Sequence, residues 1–229
     1  MATQAGADAR VLVAGASRGI GFELVRQVRA DGEAVLATAR DAAGAARLRE
    51  LGAETLLLDV TEADSCLAFA RAIESESFAQ AWFVAGVYGP RTAGLDAPRE
   101  ADFDRVMHTN VLGAMRLVPL LGSRLADGGR LAVLSSKMGS IGARRTSSGW
   151  LYRASKAALN SVVKDTAIAL QGRAIAVVLH PGWVRTDMGG AGADLDVTAS
   201  VAQLRRTVAA LAPADNGGFF DHDATPLPW

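Results

Sequence analysis

Residues 10–40, RVLVAGASRGIGFELVRQVRADGEAVLATAR, decide the fold. The apolar run at 10–16 reads as a strand. An amphipathic helix is expected from about Gly19 to Asp31, and a second apolar run at 33–39 reads as another strand. The same alternation continues outward. Helices are expected at 42–51, 64–76, 100–125, from about 150 to 171 and at 198–211. Strands are expected at 55–59 (TLLLD), 81–86 (AWFVAG), 129–136 (GRLAVLSS), 174–180 (AIAVVLH) and near 217–220. Near-continuous Val, Leu and Ala in these strands implies burial on both faces. The expected architecture is therefore α/β: a doubly wound parallel sheet of about seven strands flanked by helices, in one domain over 1–229. Such sheets bind ligands beyond the carboxyl ends of their strands, so the residues directly after each strand carry the functional information.

After the first strand comes GASRGIG, with Gly15, Gly19 and Gly21 spaced G-x-x-x-G-x-G. Glycines lacking Cβ let backbone approach a ligand, and the following helix N-terminus offers free N–H groups to a pyrophosphate. This spacing differs from the G-x-G-x-x-G fingerprint and, alone, is weak evidence. Its place between first strand and first helix strengthens it. About twenty residues past such a turn, an acid would bind a ribose 2′-hydroxyl and an arginine a 2′-phosphate. The second strand ends Ala39-Arg40-Asp41. Arg40, helped by Arg18, favours NADP(H) over NAD(H) because guanidinium matches phosphate geometry, whereas Asp41 would take the ribose role if the strand ended one residue later.

GWLYRASKAALNSVV, residues 149–163, places Tyr152 and Lys156 four apart on an expected helix, on one face and one turn apart. A cation roughly 4 Å from a phenol favours phenolate, by at most about 4 kcal/mol at an effective dielectric near 20. An isolated Y-x-x-x-K is nevertheless common as a packed tyrosine beside a solvated lysine.

The whole-chain numbers exclude several classes. Lys and Arg total 24 against 24 Asp and Glu, so no field of one sign attracts nucleic acid or acidic lipid. Cys66 is the only cysteine, which rules out an intrachain disulfide and a cysteine zinc cluster and fits a cytoplasmic protein. MATQAGADAR has no apolar signal core, and no run of about 18 apolar residues offers a membrane span. His108, His180 and His222 lack metal-ligand spacing, so no metal is expected.

Taken in order, AGASRGIG (14–21), DV (59–60), AG (85–86), TNVLG (109–113), SSKMG (135–139), YRASK (152–156) and HPGWVRTDM (180–188) resemble the short-chain dehydrogenase/reductase family in its classical size class. The extended SIGARRTSSGW stretch and the ending GGFFDHDATPLPW are similar to its C-factor-like branch. The resemblance implies a Rossmann-type fold and a nicotinamide oxidoreductase acting on a small carbonyl or alcohol. It implies Tyr152 as acid and base, Ser136 as hydrogen-bond donor to the carbonyl oxygen, and Lys156 as the group that lowers the tyrosine pKa and holds the nicotinamide ribose. Asn110 would support a water reaching Lys156; read by itself it would bond local backbone. The dinucleotide would lie on Gly15, Ser17, Arg18, Gly19, Ile20 and Gly21, with Asp59 and Val60 facing adenine and Gly86 leaving space by its ribose. Pro181, Gly182, Val184 and Thr186 would fit the nicotinamide. A homodimer or homotetramer through the helices near 100–125 and 150–171 is implied as well.

Two departures stand out. The family's N-N-A-G is here Phe83-Val84-Ala85-Gly86, so packing must replace asparagine contacts. Ser136 and Tyr152 lie 16 positions apart, more than usual, implying an extra loop with Arg144, Arg145 and Trp150 in or beside it. That loop could select substrate, although a basic loop tip is ordinarily solvated. Residues 186–197 have the glycine-rich, acidic makeup of a mobile lid. Trp150, Trp183 and Trp229 could line the pocket or pack in the core. A second functional reading is a signalling protein that binds NADP(H) without turnover as its main output.

Overall fold

The computed structural model describes residues 10–229; all of the N-terminal stretch considered for a signal core, save Arg10, lies outside the described residues. Every residue of β1 (Val11–Ala14) and of β2 (Val35–Ala39) is buried, because helices cover both faces. Between them α1 (Gly19–Ala30) turns Leu24, Val25 and Val28 inward. The alternation continues through α2 (Ala42–Glu50), β3 (Glu54–Leu57), α3 (Ala63–Ala72) and β4 (Phe78–Phe83). It ends with α4 (Glu100–Met107), α5 (Gly113–Ser123), β5 (Leu125–Leu134), α6 (Trp150–Ala169), β6 (Ile175–His180), α7 (Val197–Ala210) and β7 (Phe219–Asp221).

The seven strands form one sheet in the order β3-β2-β1-β4-β5-β6-β7. All pairs are parallel, with Ala14 beside Phe83 and Leu134 beside Leu179. One apolar cluster fills each face: Phe69, Phe78, Leu117 and Leu121 on one side, Leu24, Leu48, Trp82 and Leu204 on the other. Each such fully buried side chain contributes about 1.5–3 kcal/mol.

Three features depart from the expected pattern. β3 is an edge strand, so its Leu57 is 56% exposed instead of buried on both faces. β4 and β5 begin earlier than expected, at Phe78 and Leu125, where the pairing is interrupted by a bulge before Gln80. The expected helix over 100–125 is broken by a π-helical turn, His108–Leu112, which carries Asn110. Such turns concentrate at functional sites because the extra residue re-aims its neighbours.

The chain leaves β3 at one edge and re-enters at β4 on the far side of β1. That reversal opens a crevice beyond the carboxyl ends of β1 and β4.

Candidate active site

The turn after β1 is built by close approach. Gly15 has φ +94°, and a Cβ there would stand 2.6 Å from the Ala85 nitrogen. Its N–H donates to Thr38 Oγ1 at 3.0 Å, and the Ala16 N–H to the Thr38 carbonyl at 2.9 Å. Thr38 thus locks the glycine turn to β2. Gly21 lies beneath the turn, where a Cβ would meet the Gly15 oxygen at 2.3 Å. No side chain caps the N-terminus of α1, so its first N–H groups stay available.

These elements border a cavity of about 520 Å³. From the glycine turn it is lined by Gly15, Ser17, Arg18, Gly19 and Ile20, and at its far end by Arg40, Asp59 and Val60. Gly86 and Thr186 close the other side, and Arg105 and Thr109 join them without any signal in the sequence beyond their place near Asn110. Asp41 is absent from this lining. Its carboxylate caps α2, accepting from the Gly44 N–H at 2.7 Å, and so is engaged away from a ribose. Burial works to raise the Asp59 carboxyl, but the Thr61 hydroxyl and N–H and nearby Arg40 outweigh it and hold that carboxyl low.

Pro181, Gly182 and Val184 do not line this cavity. The Pro181 carbonyl accepts from Ser200 Oγ at 2.6 Å, which ties the segment to α7. Gly182 adopts φ +84° against Leu195 and the His222 ring, and Val184 bridges to Leu195. The 186–189 segment reaches back over the crevice: Arg18 Nη1 is 3.0 Å from Asp187 Oδ2, and Arg91 Nη2 donates to the Met188 carbonyl at 2.9 Å.

Beside this cavity α6 presents Tyr152 and Lys156 on its inner face, 7% and 4% exposed. Gly139, ending the turn after Ser136, packs so tightly on α6 that a Cβ would lie 2.9 Å from Lys156. Ser136 Oγ accepts from the Met138 N–H at 3.2 Å, which fixes its rotamer. Lys156 Nζ donates to the Leu134 carbonyl at 3.0 Å and sits 5.8 Å from the Tyr152 ring centroid. A Cβ on Gly86 would stand 3.4 Å from that amine, so Lys156 reaches the cavity wall at Gly86.

The electrostatics differ from the simple pairing argument. Burial pushes the Tyr152 phenol above its ordinary value, with the Ser136 hydroxyl pulling it down and Tyr88 adding to the rise. Burial likewise lowers the Lys156 amine from 10.5 to about 8. Desolvation disfavours both charged forms, and it exceeds the attraction available at this separation.

Asn110, wholly buried, grips Val87 at both backbone groups, accepting from its N–H and donating to its carbonyl, each at 2.8 Å. It also donates to Ser155 Oγ at 2.9 Å, and Ser155 donates to the Tyr152 carbonyl at 2.8 Å. These partners lie 23 and 45 positions away, so Asn110 does not bond the backbone of its own helix but ties the loop after β4 to α6. Tyr88, the only other tyrosine, stacks on Tyr152 with centroids 4.5 Å apart; its place in a loop after β4 hid it.

The sequence profile described as short chain dehydrogenase matches residues 9–194. The chain belongs to that family. It is 39% identical over 132 residues to the C-signal protein of Myxococcus xanthus, an alignment covering 56% of this chain and 80% of that protein. Its structure is similar to the carbonyl reductase Sniffer of D. melanogaster, with TM-score 0.87 and 30% identity over 97% of this chain and 100% of that one. A putative short-chain dehydrogenase/reductase of Burkholderia multivorans with bound NADP gives TM-score 0.88 and 28% identity, again covering 97% and 100%.

Within this short-chain dehydrogenase the missing asparagines after β4 are replaced as packing requires: Val84 joins the core, and Asn110 secures Val87. Trp183 is half-exposed, its indole N–H donating to the Gly189 carbonyl at 3.0 Å, while Trp150 donates to the Asp96 carbonyl at 3.2 Å. Trp229 packs on Phe219 with centroids 5.7 Å apart. Asp221, His222 and Asp223 cluster at the end of β7, where Asp221 pairs with Lys137 at 3.1 Å and its other oxygen binds His222. Half-buried His180 is lowered to about 4, chiefly by desolvation, and so is neutral at pH 7. Among the described residues no helix is long and apolar enough to cross a membrane.

Proposed function

We propose that this chain is an NADPH-dependent reductase of small carbonyl compounds, equivalently an alcohol dehydrogenase in reverse. The observation that carries it is the gathering of Ser136, Tyr152 and Lys156 beside a crevice whose wall the Lys156 amine reaches at Gly86. The cofactor fits the residues present: glycines with no room for a Cβ, an uncapped helix N-terminus, and Arg18 and Arg40 without a competing acid from Asp41. When bound, the reduced nicotinamide supplies hydride. Tyr152 gives its phenolic proton to the substrate oxygen as negative charge develops there. The phenol is protonated at neutral pH and so carries the proton this step needs, while its burial works against giving that proton up. Ser136 hydrogen-bonds the same oxygen, and Lys156, with an amine near 8, holds ribose hydroxyls and stabilises the phenolate left behind. Asn110 keeps Val87 and, through Ser155, the first turn of α6 in place.

The bound NADP in the Burkholderia relative supports the cofactor class, and Arg40 supports preference for the 2′-phosphate. Residues 186–197 form the lid in this reading. Pairing of subunits through α4, α5 and α6 is supported by Phe103, Met115 and Ile168, all more than 40% exposed on those helices. A cytoplasmic setting accords with the single cysteine. Purified protein should oxidise NADPH with a panel of aldehydes, ketones and diketones and lose most activity as Tyr152→Phe.

Similarity to C-signal favours one further reading, in which NADP(H) binding and partner contact are the output. It predicts a phenotype that survives Tyr152→Phe and fails as Gly19→Leu. Complementation with both variants separates the two.

A further inference from the structure

A second cleft, of about 610 Å³, opens on the outer side of the α6 N-terminus. Its walls include Arg144, Arg145, Thr146, Ser147, Trp150 and Arg153, and no acidic residue contributes to them. Arg153 is only 8% exposed. Its Nε donates to the Ser148 carbonyl at 2.8 Å and its Nη2 to Thr146 Oγ1 at 2.7 Å, which leaves Nη1 without a hydrogen bond among the described residues. None of the three arginines makes an ion pair among the described residues, whereas Arg99 and Arg105 share Asp102 and Arg205 finds Asp31 and Glu33.

A guanidinium so deeply buried is ordinarily matched by a carboxylate or phosphate, since its desolvation is otherwise uncompensated. Two neutral oxygens do not supply that charge. Arg144 and Arg145 add positive potential at the mouth, Thr146 and Ser147 add hydroxyl donors, and the Trp150 ring gives an apolar wall. We propose that this cleft is an anion site taking the carboxylate or phosphate group of a small molecule, with Arg153 as its buried anchor. The site adjoins the catalytic helix. Gly149, the residue before α6, donates to the Thr92 carbonyl at 3.1 Å, and a Cβ there would meet Tyr88 Oη at 2.8 Å. Occupancy would therefore fix the segment leading into α6, which packs at Gly149 against Tyr88 and Thr92 of the loop after β4. The anion is either the distal end of the substrate or a separate small anion.

The test needs no turnover. Inorganic phosphate and succinate are titrated calorimetrically at constant ionic strength into protein saturated with NADP, and again into the Arg40→Gln protein, which removes a competing phosphate contact in the glycine-turn crevice. Saturable binding is expected, weakened about tenfold or more by Arg153→Gln and by Arg144→Gln/Arg145→Gln, with Arg153→Lys between. The double variant leaves the Arg153 bonds to Ser148 and Thr146 in place, so it separates a lost site from a lost fold. Absence of saturable binding, or binding unchanged in both variants, overturns the proposal. So does a change of oligomeric state in Arg153→Gln without any anion binding, because a second copy would then supply the counter-charge. Kinetics with benzaldehyde and 4-carboxybenzaldehyde identify the source. A KM rise confined to the carboxylated aldehyde marks the substrate's own anionic end, and phosphate binding with unchanged kinetics marks a separate anion.

Discussion

The two halves of the crevice are held in different ways. On the β1–β4 side, backbone does the work: Gly15, Gly21 and Thr38 fix the turn through contacts that leave no space for a side chain. On the β5–β6 side, side chains do it: Lys156 hangs from the Leu134 carbonyl, Tyr152 stacks on Tyr88, and Asn110 and Ser155 bridge to the neighbouring loop. The first half makes a place for a ligand with little chemistry of its own. The second holds buried titratable groups whose charged forms are disfavoured, which suits proton transfer more than static binding.

Substitutions can break this contrast. The largest effect, after loss of the phenol itself, is expected for Ser136→Ala, which should lower kcat by about 10²–10³ while leaving NADPH affinity unchanged. On the other side Arg40→Gln should do the reverse, weakening NADPH about 10- to 100-fold with little change for NADH, as read by fluorescence titration of each. Asn110→Ala tests the bridge between the halves. Losing the clamp on Val87 leaves two partly buried backbone groups without their partner and should cost about 1–3 kcal/mol in chemical denaturation.

The smallest effect is the most diagnostic of burial. With a folded pKa near 8 and an ordinary value of 10.5, Lys156 is charged in both states below pH 8. Between pH 8 and 10.5 the folded protein has released that proton and the unfolded chain retains it, so this group adds stability as pH rises and none further above 10.5. The Tyr152 phenol works oppositely at its upper end, since the unfolded tyrosine ionises first near pH 10. Denaturant midpoints from pH 8 to pH 9.5 should therefore rise more in the wild type than in Lys156→Met.

The sheet was legible in the sequence because strands buried on both faces read as unbroken apolar runs. Edge strand β3 weakened that signal, and strand ends shifted by a few residues because side-chain burial does not mark where hydrogen bonding stops. The Tyr152–Lys156 spacing gave their shared face but not their depth, so desolvation was hidden and the sense of the phenol shift with it. The role of Asp41 does have a local signature, since an aspartate directly before a helix is a preferred N-cap. Nothing in HTNVL announces a π turn, and Tyr88 depends on a long-range stack that no local pattern encodes.

The central claim is that a buried phenol beside this crevice delivers the proton. Steady-state NADPH oxidation by wild type and Tyr152→Phe, with NADPH affinity measured in parallel, tests it most directly. The account predicts a kcat loss of about 10²–10⁴ with affinity retained; equal turnover by the two proteins would contradict it.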